Sequence, residues 1–417
     1  MTTTIEEICQ RAKVASVQMA KLSAEQKNLA LQQMANALEA NFEKILTANQ
    51  IDVTAAKTKN LKASLLDRLS LDQKKIQTMA KELREVCNLS EPIGTILSSW
   101  TRPNGLIISQ IRVPLGVVGV IYESRPNVTS DAAGICIKAG NAVILRGGTD
   151  ALQSNIVIGK ILQEALANTS VPTDAIQVIN SPEHKVVEEL MSMRQYIDVL
   201  IPRGGADLIK TVIEKSKIPV IETGTGNCHI YIDEDADLEM ATPIIITAKI
   251  QRPGVCNSVE KLLIHKKIAQ TYIPKIVTEL YKNGVEIRGD QKTCQIAPEK
   301  VKEATEQDWH TEYLDLIISI KIVENLTEAI THINKYGTKH SEVIITKDFT
   351  KAKQFLQEID AAAVYWNAST RFTDGNQFGL GAEIGISTQK LHARGPMSIQ
   401  NLTTTKYTIL GNGQNRN

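Results

Sequence analysis

Short apolar runs alternate with helical patterns through the middle of this 417-residue chain, and this alternation limits the possible folds more than any other feature. Residues 117–122 are continuously apolar, as expected for a strand covered on both faces. The same alternation predicts helices over 129–138, 155–167, 185–193 and 208–215, and strands over 142–145, 176–179, 199–201 and from 220. Strands that alternate with helices predict a parallel, doubly wound sheet.

The two ends of the chain extend this prediction. Capping-box pairs at Thr4 with Glu7 and at Ser23 with Gln26 open amphipathic patterns, so the first hundred residues are expected to be helical. After Ile250 the alternation resumes, with strands near 261–264, 316–322 and 343–346 and a helix over 268–281. Since 417 residues exceed one ordinary core, we expect an α/β protein with two doubly wound domains.

Composition excludes several classes of protein. The formal net charge of +1 gives no electrostatic case for a nucleic-acid or anionic-membrane partner. The six cysteines are scattered and contain no CxxC pair, so no metal site is predicted and a reducing compartment is expected. His332, Tyr336 and His340 recur every four residues, and we interpret them as a structural helix face. There is no signal peptide and no apolar run of about 20 residues, so the sequence predicts a soluble cytoplasmic protein.

Cys256 is the candidate nucleophile. It follows the Pro253-Gly254 pair and precedes an apolar run, which predicts a tight loop or a first helical turn. Backbone N–H groups or a cation such as Arg252 would lower the pKa of a thiol placed there. The alternative is a small buried hydrophobic residue, and the spacing alone leaves both open.

Three glycine-rich turns follow predicted strands, namely Arg146-Gly147-Gly148, Arg203-Gly204-Gly205 and Gly224-Thr225-Gly226. Glycines at such places let a phosphate approach the backbone, and an arginine adds a bidentate contact. Each turn alone could equally be a tight connection, and no GxGxxG motif is present. Glu222, just before the third turn, is a candidate general base or a surface charge.

The order of the motifs resembles that of the aldehyde dehydrogenase superfamily and, more narrowly, of its gamma-glutamyl phosphate reductase family. The superfamily motifs are Pro-Leu-Gly-Val-Val-Gly-Val-Ile (114–121), Lys-Ala-Gly-Asn-Ala-Val-Ile-Leu-Arg (138–146), Glu-Thr-Gly (222–224), Cys256 and Asn-Gln-Phe-Gly (376–379). The narrower match rests on Tyr-Glu-Ser-Arg-Pro-Asn (122–127), Ile-Pro-Arg-Gly-Gly (201–205), Gln-Arg-Pro-Gly-Val-Cys-Asn-Ser (251–258), residues 323–344 and His-Ala-Arg-Gly-Pro (392–396).

The resemblance implies a domain plan and an assembly. It implies an NADP-binding domain over 1–98 and 115–249, a catalytic domain over 250–398, and an oligomerisation element over 99–114 and 399–417. The ribbon at 106–113 and the C-terminal strand near 403–409 resemble the oligomerisation strands of the superfamily, so a homo-oligomer is expected.

The resemblance also implies a reaction, the second step of proline biosynthesis from glutamate. The Cys256 thiolate would attack L-glutamyl 5-phosphate, and the thioester would accept a hydride from NADPH to give L-glutamate 5-semialdehyde. Two oxyanions form on the way and need hydrogen-bond donors. We expect the Cys256 backbone N–H as one donor and Asn127 as the second. Glu222 matches the glutamate that activates water in oxidising relatives, and its role here stays open.

Further residues are assigned by the resemblance and by chemical suitability. Arg146, with Gly147 and Gly148, is expected to accept a 2′-phosphate, which favours NADPH over NADH. Arg203, Gly204 and Gly205 match the turn near the pyrophosphate, and Glu312 matches a glutamate on the nicotinamide ribose. Arg252 and Arg371 suit the charged groups of the substrate. A separate glutamate 5-kinase would supply the acyl phosphate, and a transient contact with it is plausible.

Three alternatives remain open from the sequence. An aldehyde dehydrogenase that forms a free acid would turn over without phosphate. A non-catalytic scaffold would fail to bind NADPH. An acyl-CoA reductase would need a site for the adenine of coenzyme A, and no sequence feature indicates one.

Overall fold

The computed structural model describes residues 3–61 and 63–416. The chain divides into two compact units. Unit 1 comprises Met1–Thr223, Gly379–Gly385 and Met397–Asn417, and unit 2 comprises Gly224–Phe378 and Ile386–Pro396.

The helices begin where side chains satisfy free backbone N–H groups. Both predicted capping boxes are present, Thr4 with Glu7 and Ser23 with Gln26. The α-helices are α1 (Ile5–Met19), α2 (Ala24–Ala40), α3 (Phe42–Thr58), α4 (Ala63–Leu69), α5 (Gln73–Cys87), α6 (Asn127–Lys138), α7 (Leu152–Leu166), α8 (His184–Ser192), α9 (Ala206–Lys215), α10 (Leu238–Ile250), α11 (Lys266–Lys282), α12 (Gln291–Ile296), α13 (Glu306–His310), α14 (Leu326–Tyr336) and α15 (Phe349–Glu358).

The strands of the parallel sheets are short and largely buried, which explains their apolar runs. The strands are β1 (Ile96–Thr101), β2 (Ile107–Pro114), β3 (Val117–Tyr122), β4 (Ala142–Gly147), β5 (Ile176–Val178), β6 (Val199–Arg203), β7 (Cys228–Ile232), β8 (Val259–His265), β9 (Glu286–Gly289), β10 (Val301–Glu303), β11 (Ile317–Val323), β12 (Ser341–Ile345), β13 (Ala363–Trp366), β14 (Ile386–Ser387), β15 (Gly395–Pro396) and β16 (Thr403–Leu410).

Unit 1 contains a parallel sheet in the order β5-β4-β3-β6. All six residues of β3 are buried, and so are all six of β4. A separate antiparallel sheet in the order β1-β2-β16 pairs Thr403 with Pro114 and Leu410 with Ile107. Every residue of β1 is exposed, so the ribbon predicted at 106–113 presents an uncovered surface within unit 1.

Unit 2 contains a seven-stranded parallel sheet in the order β10-β9-β11-β8-β7-β12-β13. β7 and β8 lie near its middle and are buried along their whole length. α10 and α11 pack on the sheet through Ile245, Ile273 and Ile276. A two-stranded antiparallel pair, β14 with β15, completes the unit. The predicted α/β class with two parallel sheets is therefore confirmed.

Two details differ from the sequence predictions. The division lies between Thr223 and Gly224 rather than at 249/250, because β7 pairs with β8 and β12 and so carries 224–249 into the second sheet. The strand predicted from 220 is reduced to a bridge between Leu200 and Val220. The bridge consists of two hydrogen bonds, from the Leu200 N–H to the Pro219 carbonyl oxygen and from the Ile221 N–H to the Leu200 carbonyl oxygen, and Pro219 has no N–H to extend the pairing on its other side.

Across residues 3–61 and 63–416, no helix is long and apolar enough to cross a lipid bilayer.

Candidate active site

Cys256 lies in the loop between α10 and β8, as its Pro-Gly context predicted, and it is half-buried. Gly226 packs directly on its backbone. A Cβ on Gly226 would lie 1.5 Å from the carbonyl oxygen of Cys256, so only glycine fits. The thiol of Cys228 donates a hydrogen bond to the same carbonyl oxygen at 3.1 Å. The residues before and at the start of β7 therefore hold the Cys256 backbone.

Asn257 fixes the other side of this loop. Its Nδ2 donates to the carbonyl oxygen of Thr373 at 3.0 Å and to that of Arg371 at 3.3 Å. The hydroxyl of Thr370 donates to the Asn257 carbonyl oxygen at 2.7 Å. Asn257 is buried, so these bonds tie the residue after the candidate nucleophile to segment 370–373.

Arg371 brings positive charge to the loop. Its Nη1 donates to Oδ1 of Asn257, and its Nε donates to Oε1 of Gln251 at 3.3 Å. Burial lowers the pKa of the Arg371 guanidinium; the charge of Arg252 lowers it further, and Cys256 raises it. Arg371 therefore interacts electrostatically with both Arg252 and Cys256, and a cation beside a thiol favours its thiolate form.

Glu312 also reaches this cluster. Its Oε1 accepts a hydrogen bond from the backbone N–H of Gly226 at 2.7 Å. Because Gly226 packs on the Cys256 backbone, it connects Glu312 to the candidate nucleophile: Glu312 contacts Gly226, and Gly226 contacts Cys256. Unit 2 thus brings together Cys256, Arg252, Arg371 and Glu312, all named from the sequence.

These residues share one edge of the sheet of unit 2. Gly226 precedes β7, Cys256 precedes β8 and Glu312 precedes β11, and neighbouring parallel strands begin at the same edge. The turn at 224–226 was expected to follow a strand and to sit at a carboxyl end, where ligands of open parallel sheets usually bind. Instead it leads into β7, so this cluster lies at the amino edge.

Arg146 stands out in unit 1. It lies on β4 and is only 6% exposed. Among the described residues, neither its Nε nor its Nη2 has a hydrogen-bond partner. Burial lowers the pKa of its guanidinium, and the nearby Glu123 raises it. A buried cation with unmade hydrogen bonds is unfavourable, and an anionic ligand would supply the missing acceptors. Arg146 therefore fits an anionic ligand such as a phosphate.

The glycines of the two Arg-Gly-Gly turns have packing reasons of their own. A Cβ on Gly147 would lie 2.0 Å from Nδ2 of Asn155, and one on Gly204 would lie 2.4 Å from Oε2 of Glu123. Gly148 precedes a short 3₁₀ turn at Thr149–Ala151.

The second of these turns opens a helix. Arg203 ends β6, and its carbonyl oxygen accepts from the Glu123 backbone N–H at 3.0 Å. Gly205 is the N-cap of α9, and its backbone N–H donates to Oε2 of Glu123 at 2.8 Å. The N-terminus of α9 therefore already faces an anion.

Asn127, the predicted second oxyanion donor, is the first residue of α6. Its Nδ2 donates to Oδ2 of Asp131 at 2.7 Å. Burial raises the pKa of Asp131 to about 6, and its hydrogen bonds with Asn127 and Ser130 oppose that shift. One of the two amide hydrogens of Asn127 is thus engaged inside unit 1.

Comparison with known proteins decides the family. The profile described as "Aldehyde dehydrogenase family" matches residues 2–307. The gamma-glutamyl phosphate reductase of Caldanaerobacter subterraneus subsp. tengcongensis is 59% identical over 412 residues, which cover 99% of each chain. That of Dictyoglomus turgidum is 58% identical over 406 residues, covering 97% of this chain and 98% of the relative. The crystal structure of the enzyme from Thermotoga maritima superposes with a TM-score of 0.96, at 50% identity and full coverage of both chains.

The chain belongs to the gamma-glutamyl phosphate reductase family of aldehyde dehydrogenases. It is an oxidoreductase, and the predicted family and fold class are confirmed. Aldehyde dehydrogenases use nicotinamide cofactors, which agrees with the chemistry around Arg146.

The predicted site residues fall into two groups. Unit 2 holds the cluster around Cys256, whereas unit 1 holds Asn127, Glu222 and both Arg-Gly-Gly turns. Glu222 is half-buried and is the last residue but one of the first segment of unit 1, which ends at Thr223. The roles assigned to these residues stay predictions.

The sequence reasoning missed the residues that hold the site in place. Cys228, Asn257 and Glu123 were not singled out, and Gly226 was named only as part of a glycine-rich turn expected to bind phosphate. Asn257 directly follows the nucleophile, and Glu123 lies inside the quoted motif at 122–127, so position in a motif was the available signal. Cys228 offered none, because its contact with Cys256 joins residues 28 positions apart.

A buried charged pair was missed as well. Nζ of Lys249 lies 3.2 Å from Oε2 of Glu260, and both side chains are fully buried. Burial raises the pKa of Glu260 to about 7.

The helix face predicted from His332, Tyr336 and His340 is present only in part. α14 ends at Tyr336, so His340 lies beyond the helix, in the turn that leads into β12. His332 is buried and packs against the rings of Trp309 and Tyr336 at centroid distances of 5.5 and 4.5 Å. Burial lowers the pKa of His332 to about 2, so it is neutral at physiological pH.

Proposed function

We propose that the chain catalyses the NADPH-dependent reduction of L-glutamyl 5-phosphate to L-glutamate 5-semialdehyde and phosphate. This is the second step of proline biosynthesis from glutamate, and it proceeds through a thioester on Cys256. Full-length similarity to gamma-glutamyl phosphate reductases supports the substrate. The observation that carries the mechanism is a half-buried thiol whose backbone is held by Gly226 and whose surroundings include two arginines.

The proposed reaction has two steps, formation of the thioester and its reduction. The Cys256 thiolate attacks the acyl carbon, the acyl–oxygen bond breaks and inorganic phosphate leaves with the bonding electrons. When bound, the cofactor supplies the hydride that converts the thioester carbonyl into a second oxyanion. Collapse of that oxyanion expels the Cys256 thiolate and releases the aldehyde. The Cys256 backbone N–H and the Asn127 side chain are our candidate donors to both oxyanions.

Arginines account for substrate selection in this proposal. L-Glutamyl 5-phosphate carries an α-carboxylate and a phosphate, and guanidinium groups bind both by paired hydrogen bonds. Arg252 is exposed and Arg371 is half-buried next to Cys256, so both suit this task. Part of the Arg371 guanidinium already supports Asn257, which would couple substrate binding to the nucleophile loop.

The cofactor assignment to NADPH rests on unit 1. Arg146 would hold the 2′-phosphate beside Gly147 and Gly148, and its unpartnered Nε and Nη2 support an anionic ligand. The turn Arg203-Gly204-Gly205 would hold the pyrophosphate at the start of α9. Glu312 would accept hydrogen bonds from the nicotinamide ribose.

A homo-oligomer is part of the proposal. The ribbon β1-β2-β16 exposes large apolar side chains, with Ile96 61% and Ile409 55% exposed. Trp100 and Tyr407 pack edge to face on it, with ring centroids 6.2 Å apart. Sedimentation equilibrium checks the assembly: a particle of 45.9 kDa would contradict it, and a multiple of that mass supports it.

The reverse reaction tests the mechanism. L-Glutamate 5-semialdehyde is supplied with NADP⁺, with and without inorganic phosphate, and NADPH formation is followed by absorbance. We expect turnover that requires phosphate and disappears in Cys256→Ala. Cys294→Ala is the matched control, because Cys294 is half-buried in the same unit and bonds the carbonyl of Gly289 instead.

Each other outcome has a definite meaning. Turnover without phosphate means that water resolves the thioester, which replaces the proposal with aldehyde oxidation and gives Glu222 the role of base. Full activity in Cys256→Ala rules out the thioester. Absence of NADP⁺ binding to the folded protein refutes the proposed function as a whole.

A further inference from the structure

The carboxylate of Glu123 occupies the place where a phosphate would dock. Its Oε2 accepts a hydrogen bond of 2.8 Å from the backbone N–H of Gly205, the residue that caps the N-terminus of α9. Such N–H groups at a helix N-terminus are a general binding place for anions. Here the anion comes from the protein's own chain.

The turn is shaped around this carboxylate. A Cβ on Gly204 would lie 2.4 Å from Oε2 of Glu123, so a larger residue would displace the carboxylate. The Glu123 backbone is fixed as well, because its N–H donates to the carbonyl oxygen of Arg203 at 3.0 Å. The backbone is held by the strand pair β3 and β6, whereas the side chain is exposed and able to rotate.

Arg146 gives an independent indication that an anion binds in the vicinity of Glu123. It is 6% exposed, it feels the charge of Glu123, and yet its Nε and Nη2 make no hydrogen bond among the described residues. Glu123 therefore attracts Arg146 but accepts no hydrogen bond from its Nε or Nη2. A dinucleotide phosphate would supply Arg146 with acceptors that the carboxylate does not.

We propose that Glu123 is a built-in phosphate mimic, which covers the N-terminus of α9 in the free protein and must swing away when the dinucleotide binds. The inference rests on the proposed function, since it assigns that N-terminus to the cofactor pyrophosphate. Glu123 then lowers affinity for oxidised and reduced cofactor alike, because its negative charge competes with the phosphates. The same competition speeds release of the spent cofactor.

Glu123→Gln tests the competition while keeping the size of the side chain. NADP⁺ binding is measured by isothermal titration calorimetry and NADPH binding by cofactor fluorescence. Removing one unit charge about 4 Å from a phosphate in water tightens binding by about fivefold. We expect that gain for both cofactors, with a matching fall in KM for NADPH and no change in KM for the acyl phosphate.

Glu183→Gln is the matched control. Glu183 is the N-cap of α8 in the same unit, and its side chain makes no capping hydrogen bond. Glu183→Gln removes the same charge from a side chain that does not cap its helix, and its cofactor affinity should equal that of the unmodified protein. Glu123→Ala provides a second test, because it removes both the charge and the side-chain oxygens of Glu123. It should tighten cofactor binding at least as much as Glu123→Gln does.

The outcomes separate this inference from the proposed function. If Glu123→Gln and Glu123→Ala bind NADP⁺ no more tightly than the unmodified protein, or more weakly, Glu123 merely caps the helix and the inference fails. If the unmodified protein binds no NADP⁺, the proposed function fails first. Equal tightening in Glu183→Gln would trace the effect to overall charge and would also overturn the inference.

Discussion

Gly226→Ala is the substitution that tests most directly how the nucleophile is held. A Cβ at residue 226 would lie 1.5 Å from the carbonyl oxygen of Cys256, 2.4 Å from its carbonyl carbon and 2.7 Å from its Cα. Ordinary carbon–oxygen contacts lie near 3.4 Å, so one backbone must move by about 1.5 Å or more. These are backbone atoms, and no side-chain rotation relieves the overlap.

Such a shift is large on the scale of catalysis. A displacement of about 1 Å at a reacting centre costs about 100-fold in rate. The shift would also disturb the hydrogen bond of 2.7 Å between Gly226 and Glu312. We therefore expect kcat/KM to fall at least about 100-fold in Gly226→Ala. NADP⁺ affinity should fall much less than kcat/KM in this proposal, because Arg146 and both Arg-Gly-Gly turns belong to unit 1 and only the contact through Glu312 is disturbed.

The assay combines steady-state reduction of L-glutamyl 5-phosphate with calorimetry and the rate of Cys256 alkylation by iodoacetamide. Gly284→Ala is the control: an added Cβ meets nothing within 4 Å, but the φ of +75° strains alanine there. That control should lose about 1 kcal/mol of stability and keep its kcat. A folded Gly226→Ala protein with unmodified kcat/KM and alkylation rate would refute the reasoning.

Arg146, Arg371 and His332 each give a further prediction. Arg146→Gln should raise the KM for NADPH by about tenfold or more while changing that for NADH little, since it removes a charged phosphate contact; steady-state kinetics with both cofactors checks this. Arg371→Lys keeps the charge but loses the fork that reaches Asn257, so kcat/KM for the acyl phosphate should fall about tenfold with cofactor affinity intact. Neutral, buried His332 should destabilise the fold in acid, because its pKa in the folded protein is depressed below the ordinary 6.5. The free energy of unfolding should therefore fall by about 1 kcal/mol per pH unit as the pH drops below about 6.5. His332→Gln should lessen that slope, which is measured by urea titrations at several pH values.

Much of the fold could be predicted because buried parallel strands read as continuous apolar runs. The run at 117–122 coincides with β3, and the run at 142–145 falls inside β4. β7 was missed because His229 interrupts its apolar pattern. That imidazole is buried against Glu342, with Nδ1 3.1 Å from Oε2, and the two residues are 113 positions apart. A polar residue satisfied by so distant a partner carries no local signal of burial.

The candidate site likewise contains residues that the sequence could indicate and residues that it could not. Local chemistry indicated Cys256, because a Pro-Gly pair fixes the loop, and it indicated Arg146, because an arginine ends an apolar run. The residues that position them depend on tertiary packing. Gly226 is required by the Cys256 carbonyl oxygen and Asn257 by segment 370–373, and neither contact lies within one helix or strand.

Glycines in the two Arg-Gly-Gly turns show why a motif needs a physical test before it is assigned to a ligand. A Cβ on Gly147 would overlap Nδ2 of the buried Asn155, so this residue would be glycine even if no phosphate ever bound. A Cβ on Gly204 would meet the carboxylate of Glu123, so the close approach of this side chain accounts for the second glycine in the free protein. Packing does not explain Arg146, whose buried Nε and Nη2 make no bond within the described part of the chain and destabilise the free protein. An anion would remove that cost, so in this turn the arginine, and not the glycines, indicates a bound phosphate.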